Sequence, residues 1–277
     1  MSCHNAIKLV LLFVCGWGVV ALNACSSEEV LQQLSADERF GVATQLFQEE
    51  DYLEAEKEFR IITLQYPGTA LADDAQFFLG ECRFLHEEYI LAAYEYDMLL
   101  RTMPTSEYVS RARYRKSQCY YNLSPESFRD QENTRKAIDE FQAFLEYFPT
   151  DTLAPHAATR IQELNEKLAK KEYDNGELYF QMGSYRSAAY YFDLVLEKYH
   201  DTPFAEQAQL KKAEVGFLRK RYSEAKLDID LFFEKYPNSS YLLEAEKLRS
   251  DIDTQLSGAR EGTSKERSTS PNPIKQN

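Results

Sequence analysis

Residues 52–69 read YLEAEKEFRIITLQYPGT, and the fold turns on the spacing within them: Tyr52, then Ala55 three residues on, Phe59 seven on and Pro67 fifteen on. The same offsets return at Tyr89, Ala92, Tyr96 and Pro104, and at Thr134, Ala137, Phe141 and Pro149. They return again at Tyr185, Ala188, Phe192 and His200, and at Tyr222, Ala225, Ile229 and Pro237. All five alanines hold and four of five prolines hold, which marks an internal repeat. A small residue lets a neighbouring helix approach, the ring one turn later fills the space beside it, and proline ends the helix.

Working outward, a second small residue stands twelve positions before the alanine in four repeats, at Ala43, Gly80, Gly176 and Ala213. In the third repeat it is Ser117, reached across eight extra residues. Thr69, Ser106, Asp151, Thr202 and Ser239 follow the helix ends and are expected to cap the next helices. A small residue in each helix of an antiparallel pair, with Tyr and Pro around it, resembles the tetratricopeptide repeat (TPR) over residues 37–238. The predicted fold is all-α: a TPR-type helical-repeat solenoid of about five helix pairs and a C-terminal capping helix.

The irregularities carry information. Spacing between anchors is 37 at both ends of the array but 45 and 51 in the middle. The 45 comes from a loop near Leu123–Gln131 (LSPESFRDQ), and the 51 from fourteen residues added ahead of Gly176. Fourteen residues are close to four turns, so one helix of about 28 residues is expected between Pro155 and Met182. A capping helix is expected from Tyr241 to Leu256, and 257–277 reads as a disordered tail. The division is then leader 1–24, linker 25–36, N-terminal repeats 37–151, C-terminal repeats and cap 152–256, and tail.

The N-terminus reads as an address. Residues 9–22 form an apolar run of 14, shorter than a comfortable membrane span, and end at Leu22-Asn23-Ala24-Cys25. This resembles the lipobox of bacterial lipoproteins, which implies acylation of Cys25; the alternative is an ordinary signal peptide with Cys25 a bystander. Ser26 rather than Asp follows, which favours the outer membrane. Loss of the leader removes Lys8 and takes the net charge from −13 to −14. So acidic a body lacks the clustered cations that phosphate contacts need, and no nucleic-acid partner is expected. Cys82 and Cys119 are equivalent in successive repeats, two residues after Gly80 and Ser117. Stacked helices place such positions about 8–10 Å apart, so free thiols are expected.

Catalytic signatures are missing. His86, His156 and His200 lie in separate repeats without a second ligand at helical spacing, so no metal is expected. No phosphate loop, nucleophile elbow or zincin motif occurs, so neither a cofactor nor an enzyme is expected. The acidic runs Glu49-Glu50-Asp51 and Glu87-Glu88 read as solvated turns between helices.

Candidate binding residues follow from the first helix of each pair. Three positions before the small residue stand Phe40, Phe77, Tyr114, Tyr173 and Leu210; four after stand Phe47, Phe84, Tyr121, Phe180 and Phe217. A stripe seven apart suits a core as readily as a ligand, so both readings stand. In the second, an aromatic and acidic channel is edged by Thr44, Glu81, Gln118, Glu177 and Glu214, while Lys57 and Glu95 face outward. Phe40, Phe47, Phe77, Glu81, Phe84, Tyr114 and Tyr121 are its candidate contacts. A carboxylate clamp needs Lys and Asn at these places, and the chain offers rings and Glu.

Ser127-Phe128-Arg129-Asp130-Gln131 leading into Thr134-Arg135-Lys136-Ala137, with the turns Tyr66-Pro67-Gly68-Thr69 and Tyr236-Pro237-Asn238-Ser239, resembles the BamD family. So do the lipobox, the inserted loop and the lengthened helix. The resemblance implies a lipid-anchored scaffold on the periplasmic face of the outer membrane. It would dock on the barrel-forming insertase of the β-barrel assembly machinery through its C-terminal repeats and engage unfolded outer-membrane clients. Alternatives are a periplasmic TPR adaptor in envelope division, which commonly carries a coiled coil before the repeats, and a glycan-binding surface lipoprotein, which needs larger loops.

Overall fold

The computed structural model describes residues 34–268; the leader, Cys25 and residues 269–277 lie outside the described residues. Eleven α-helices and no strand occur among the described residues. They are α1 (Ala36–Gln48), α2 (Tyr52–Gln65), α3 (Ala72–Leu85), α4 (Tyr89–Thr102), α5 (Val109–Leu123) and α6 (Glu132–Tyr147). Then come α7 (Ala154–Gln181), α8 (Tyr185–Lys198), α9 (Pro203–Leu218), α10 (Tyr222–Lys235) and α11 (Leu242–Ser268).

The repeat spacing is the packing code. Ala55, Ala92, Ala137, Ala188 and Ala225 are all fully buried, as are Phe59, Tyr96, Phe141, Phe192 and Ile229 one turn later. Their counterparts Ala43, Gly80, Ser117, Gly176 and Ala213 are buried as well. Each second helix stops two residues before its proline, because the residue ahead of a proline is pushed out of the helical region. At His200, without a proline, α8 still stops at Lys198. The long helix α7 has 28 residues, Ala154–Gln181.

Helices divide into two compact units. One runs to Leu123 and takes in Ala143–Leu153; the other holds Ser124–Gln142 and everything from Ala154. The single boundary expected between 151 and 152 is thus replaced by an interleaved one, since α6 gives its first part to the second unit and its end to the first. In the first unit, Ala43, Ala55, Phe59, Ile62 and Leu79 form one core cluster, and Phe77, Ala92, Tyr96, Leu99 and Ala112 another. In the second, Ala188, Phe192 and Val195 pack with Ala208 and Val215, and Ala213, Ile229 and Phe232 pack with Ala245 and Ile252.

Two expectations need correction. Helix α11 extends to Ser268, so residues 257–268 are helical and not a disordered tail; proline is absent until Pro271, and Arg260, Glu261, Lys265 and Glu266 are competent helix formers. The expected caps also behave differently. Thr69 and Thr202 turn their hydroxyls back to donate to the Tyr66 and Tyr199 carbonyls at 2.8 and 2.7 Å. Ser106, Asp151 and Ser239 accept from the N–H two residues on, at 3.2, 2.8 and 2.9 Å. Such local turns compete with capping, and α3, α5, α7 and α11 start three residues further on; α9 starts at Pro203, with Thr202 in the N-cap position but making no side-chain cap bond. A reciprocal capping box does occur at the first helix, where Ser35 accepts from the Glu38 N–H and Glu38 accepts from the Ser35 N–H.

A tight turn recurs within four of the five pairs. Glu50, Glu87, Gly183 and Lys220, each two residues before the anchor tyrosine, have φ of 63°, 63°, 72° and 58°. In each, that residue's N–H and the next N–H reach back to the end of the first helix: Glu50 to Phe47 and Asp51 to Leu46, Glu87 to Phe84 and Glu88 to Arg83, Gly183 to Phe180 and Ser184 to Tyr179, Lys220 to Phe217 and Arg221 to Gly216. A left-handed non-glycine residue costs about 1–2 kcal/mol, and glycine's greater freedom in the unfolded chain offsets part of any gain from replacing it. Glu50→Gly, Glu87→Gly and Lys220→Gly should each therefore add about 0.5–1 kcal/mol of stability. Gly183→Ala should remove about 1 kcal/mol. Urea denaturation of the four variants checks both signs, and a loss in the glycine variants would contradict the turn.

Candidate functional site

The seven candidate contacts all belong to the first unit. Phe77 is fully buried, and Tyr114 nearly so, against Phe144 at 5.4 Å between ring centroids. These two are core. Phe40, Phe47, Phe84 and Tyr121 keep part of their surface in solvent. Phe47 and Phe84 pack edge-on against the anchor tyrosines Tyr52 and Tyr89, at 5.5 and 5.4 Å, and so brace the tight turns.

Glu81 does not line an open acidic channel. It is buried, accepts the Tyr96 hydroxyl at 2.5 Å, and takes Arg115 in a two-point pair at 2.8 and 2.9 Å. Burial first, and Glu81 beside it second, push the Tyr96 hydroxyl well above the ordinary tyrosine range, so it stays a donor. Glu95, expected to face outward, is buried as well: it lies 3.3 Å from Arg83 and accepts from Gln76 at 2.9 Å. Both acids are drawn inward by cations distant in sequence.

The channel expected to be acidic carries guanidinium groups over its rings. Arg111 lies 4.8 Å from the centroid of Phe77 and 5.4 Å from that of Tyr108; Arg115 lies 4.8 Å from that of Phe84. Helix α5, VSRARYRKSQCYYNL, holds Arg111, Arg113, Arg115 and Lys116 with no acid, a signal the repeat offsets pass over. Phe78 is the other residue those offsets miss. It stacks on Phe59 at 5.6 Å and meets Phe47 at 5.4 Å, Phe77 at 5.7 Å, Tyr108 at 6.2 Å and Phe40 at 6.3 Å. The half-exposed rings Phe40, Phe47 and Phe78 therefore form one continuous aromatic strip. What the face offers is ring surface with exposed Arg111 beside it: contacts suited to aromatic side chains and to carboxylates.

Cys82 and Cys119 are free and buried. Burial pushes the Cys82 thiol up to about 12, and burial likewise raises Cys119, so neither is a nucleophile near neutral pH.

The second unit carries the inserted loop, which is tightly built. Gln131 is buried and donates to the carbonyls of Glu126, Arg129 and Ser127 at 2.8, 3.2 and 3.4 Å. It accepts the Thr134 hydroxyl at 2.6 Å, and Ser124 bonds Thr134 at 2.7 Å. The third anchor is Thr where others are Tyr because its hydroxyl closes this network. Two lysines of α7 reach the loop: Lys167 donates to the Ser124 hydroxyl at 2.8 Å and Lys171 to the Arg129 carbonyl at 2.5 Å.

Residues 32–214 match the family described as YfiO, outer membrane lipoprotein. The outer membrane protein assembly factor BamD of Rickettsia prowazekii is 27% identical over 203 residues, 73% of this chain and 81% of that protein. BamD of Caulobacter vibrioides is 24% identical over 72% of this chain and 65% of its own length. BamD of Neisseria meningitidis serogroup B is 22% identical over 68% of this chain and 77% of that one. Among solved structures, a tetratricopeptide repeat protein from Parabacteroides merdae is 16% identical over 86% of this chain and 81% of that one, with a TM-score of 0.35, too loose a likeness to carry an argument. With the family match running from ahead of α1 into α9, this chain belongs to the YfiO family of outer membrane lipoproteins, the family of BamD.

Proposed function

We propose that this chain is a non-catalytic scaffold of the outer-membrane β-barrel assembly machinery. Acyl chains on Cys25 hold it to the outer membrane at the periplasmic face, and it binds the barrel insertase and unfolded barrel clients. The observation that carries this reading is the family match over residues 32–214, joined to relatives named as outer membrane protein assembly factors. The chemistry of the first unit supports the client half of it. Barrel segments are rich in aromatic side chains, and the strip of Phe40, Phe47 and Phe78 with Arg111 alongside offers ring stacking and cation contacts to them.

The test is co-purification through a C-terminal tag after mild detergent extraction, from cells carrying the wild type or Cys25→Ala. The wild type should bring down the insertase and carry palmitate label. The variant should lack the label and appear in the soluble fraction, since more than one acyl chain is what makes anchoring stable. Recovery of division proteins in place of the insertase would reject the reading. For the client face, a photocrosslinker at Phe47 or Phe84 should capture a nascent barrel protein, and one at exposed Lys57 should not.

A further inference from the structure

An acid directly follows the small residue in three of the first helices, at Glu81, Glu177 and Glu214. Thirty-four positions on from Glu81 is Arg115, its partner at 2.8 and 2.9 Å. Thirty-four on from Glu177 is Lys211, at 3.8 Å. Thirty-four on from Glu214 is Leu248, which lines the same cavity as Glu214 but brings no charge. Burial fixes the register of α11 independently, since Ala245 and Ile252 stand 37 residues after Ala208 and Val215 and are just as deeply buried. A rung that twice holds a cation from the next helix thus ends on a leucine. Glu214 is left with Lys211 of its own helix, at 3.0 Å, which it shares with Glu177.

Between α9 and α11 lies an open cavity of about 230 Å³, walled by Phe217, Leu218 and Leu248. A dry apolar cavity of about 150 Å³ takes a benzene ring, so this one has room for a large apolar side chain. Its rim carries three acids, Glu214, Glu244 and Asp251, against one cation, Lys247. The neighbouring Glu177 and Lys211 add one charge of each sign and leave the acidic excess unchanged. Glu244, Leu248 and Asp251 follow at i, i+4 and i+7, so the two exposed carboxylates stand about 10 Å apart on one stripe with the leucine between them. We propose that this groove docks a segment of a partner protein in which an apolar side chain is flanked by Lys or Arg. The apolar side chain enters the cavity, and the flanking cations take the place that Arg115 and Lys211 fill on the earlier rungs. A single small cation would meet one carboxylate and leave the apolar walls wet; a polypeptide segment covers both.

The test selects random short peptides, displayed on phage, on the mature protein. Enriched peptides are then measured against wild type, Asp251→Lys, Leu218→Asp and a double variant of the C-terminus, Ile274→Ser, Lys275→Glu. Asp251 and Leu218 are exposed, so their variants should melt as wild type does. The enriched set should include peptides with an apolar side chain between Lys or Arg. These should bind more weakly as salt rises and lose tenfold or more in affinity for Asp251→Lys and for Leu218→Asp. Enrichment of no such peptide, or full affinity for either variant, would overturn the proposal. Ile274-Lys275, outside the described residues, offers similar chemistry within the chain. If the double variant binds the peptides tenfold better than wild type, the groove is filled by the chain itself and the partner is overturned. The scaffold reading survives each of these results, because the family match behind it ends at residue 214, ahead of α11.

Discussion

Gly80→Ala is expected to destabilise the protein by about 1–3 kcal/mol, although alanine is the better helix former by about 1 kcal/mol. A Cβ at Gly80 would lie 2.6 Å from Cε1 and 2.9 Å from Cδ1 of Tyr96. The ring cannot give way: it is fully buried and its hydroxyl is held by Glu81 at 2.5 Å. Gly176 meets Phe192 in the same way, with 2.6 Å to Cε1, but that ring has no hydroxyl tether, so Gly176→Ala should cost less. Gly41, also helical, has nothing within 4 Å, and Gly41→Ala should gain up to about 1 kcal/mol. Denaturation midpoints of the three variants give the ranking. A Gly80→Ala protein as stable as wild type would mean that α3 and α4 are not so close.

Glu81→Ala should cost about 3 kcal/mol, the low end of the range for breaking a buried ion pair, because Arg115 keeps 31% of its side chain in solvent. The loss has two parts, the Tyr96 hydroxyl left without its acceptor and the Arg115 guanidinium without its partner. Glu81→Gln keeps an acceptor for the hydroxyl and should fall between alanine and wild type. The double variant Glu81→Ala, Arg115→Ala should recover part of the loss, since it removes the stranded charge. If the two single losses simply add, the pair is not coupled as described.

These two sites show where sequence reading succeeds and where it stops. Gly80 and Tyr96 belong to the repeat, and the offsets that find them need only one helix pair's periodicity. Glu81 sits one residue from Gly80, yet its fate is set by Arg115, thirty-four positions away and on another helix. Helical spacing assigns a face; it does not say which cation will arrive there, and so spacing alone gives the channel the wrong charge. The left-handed turns were hidden for a different reason. Three of the four carry Glu or Lys, side chains that say nothing about φ, and only Gly183 advertises the turn. The inserted loop was visible as extra length, but its rigidity depends on Gln131 turning inward, which composition alone reads as one more polar loop residue.

The entry to the first helix has a consequence of its own. Leu34 is fixed by its carbonyl, which accepts the Tyr66 hydroxyl at 3.1 Å, and Ser35 is locked in the capping box. With Cys25 acylated as proposed, nine chain steps, across the eight residues 26–33, separate it from this fixed point. Fully extended they reach about 30 Å. That leash sets the altitude of the first repeat above the bilayer: the Tyr66 end of α2 cannot stray farther than about one membrane's thickness from the lipid surface.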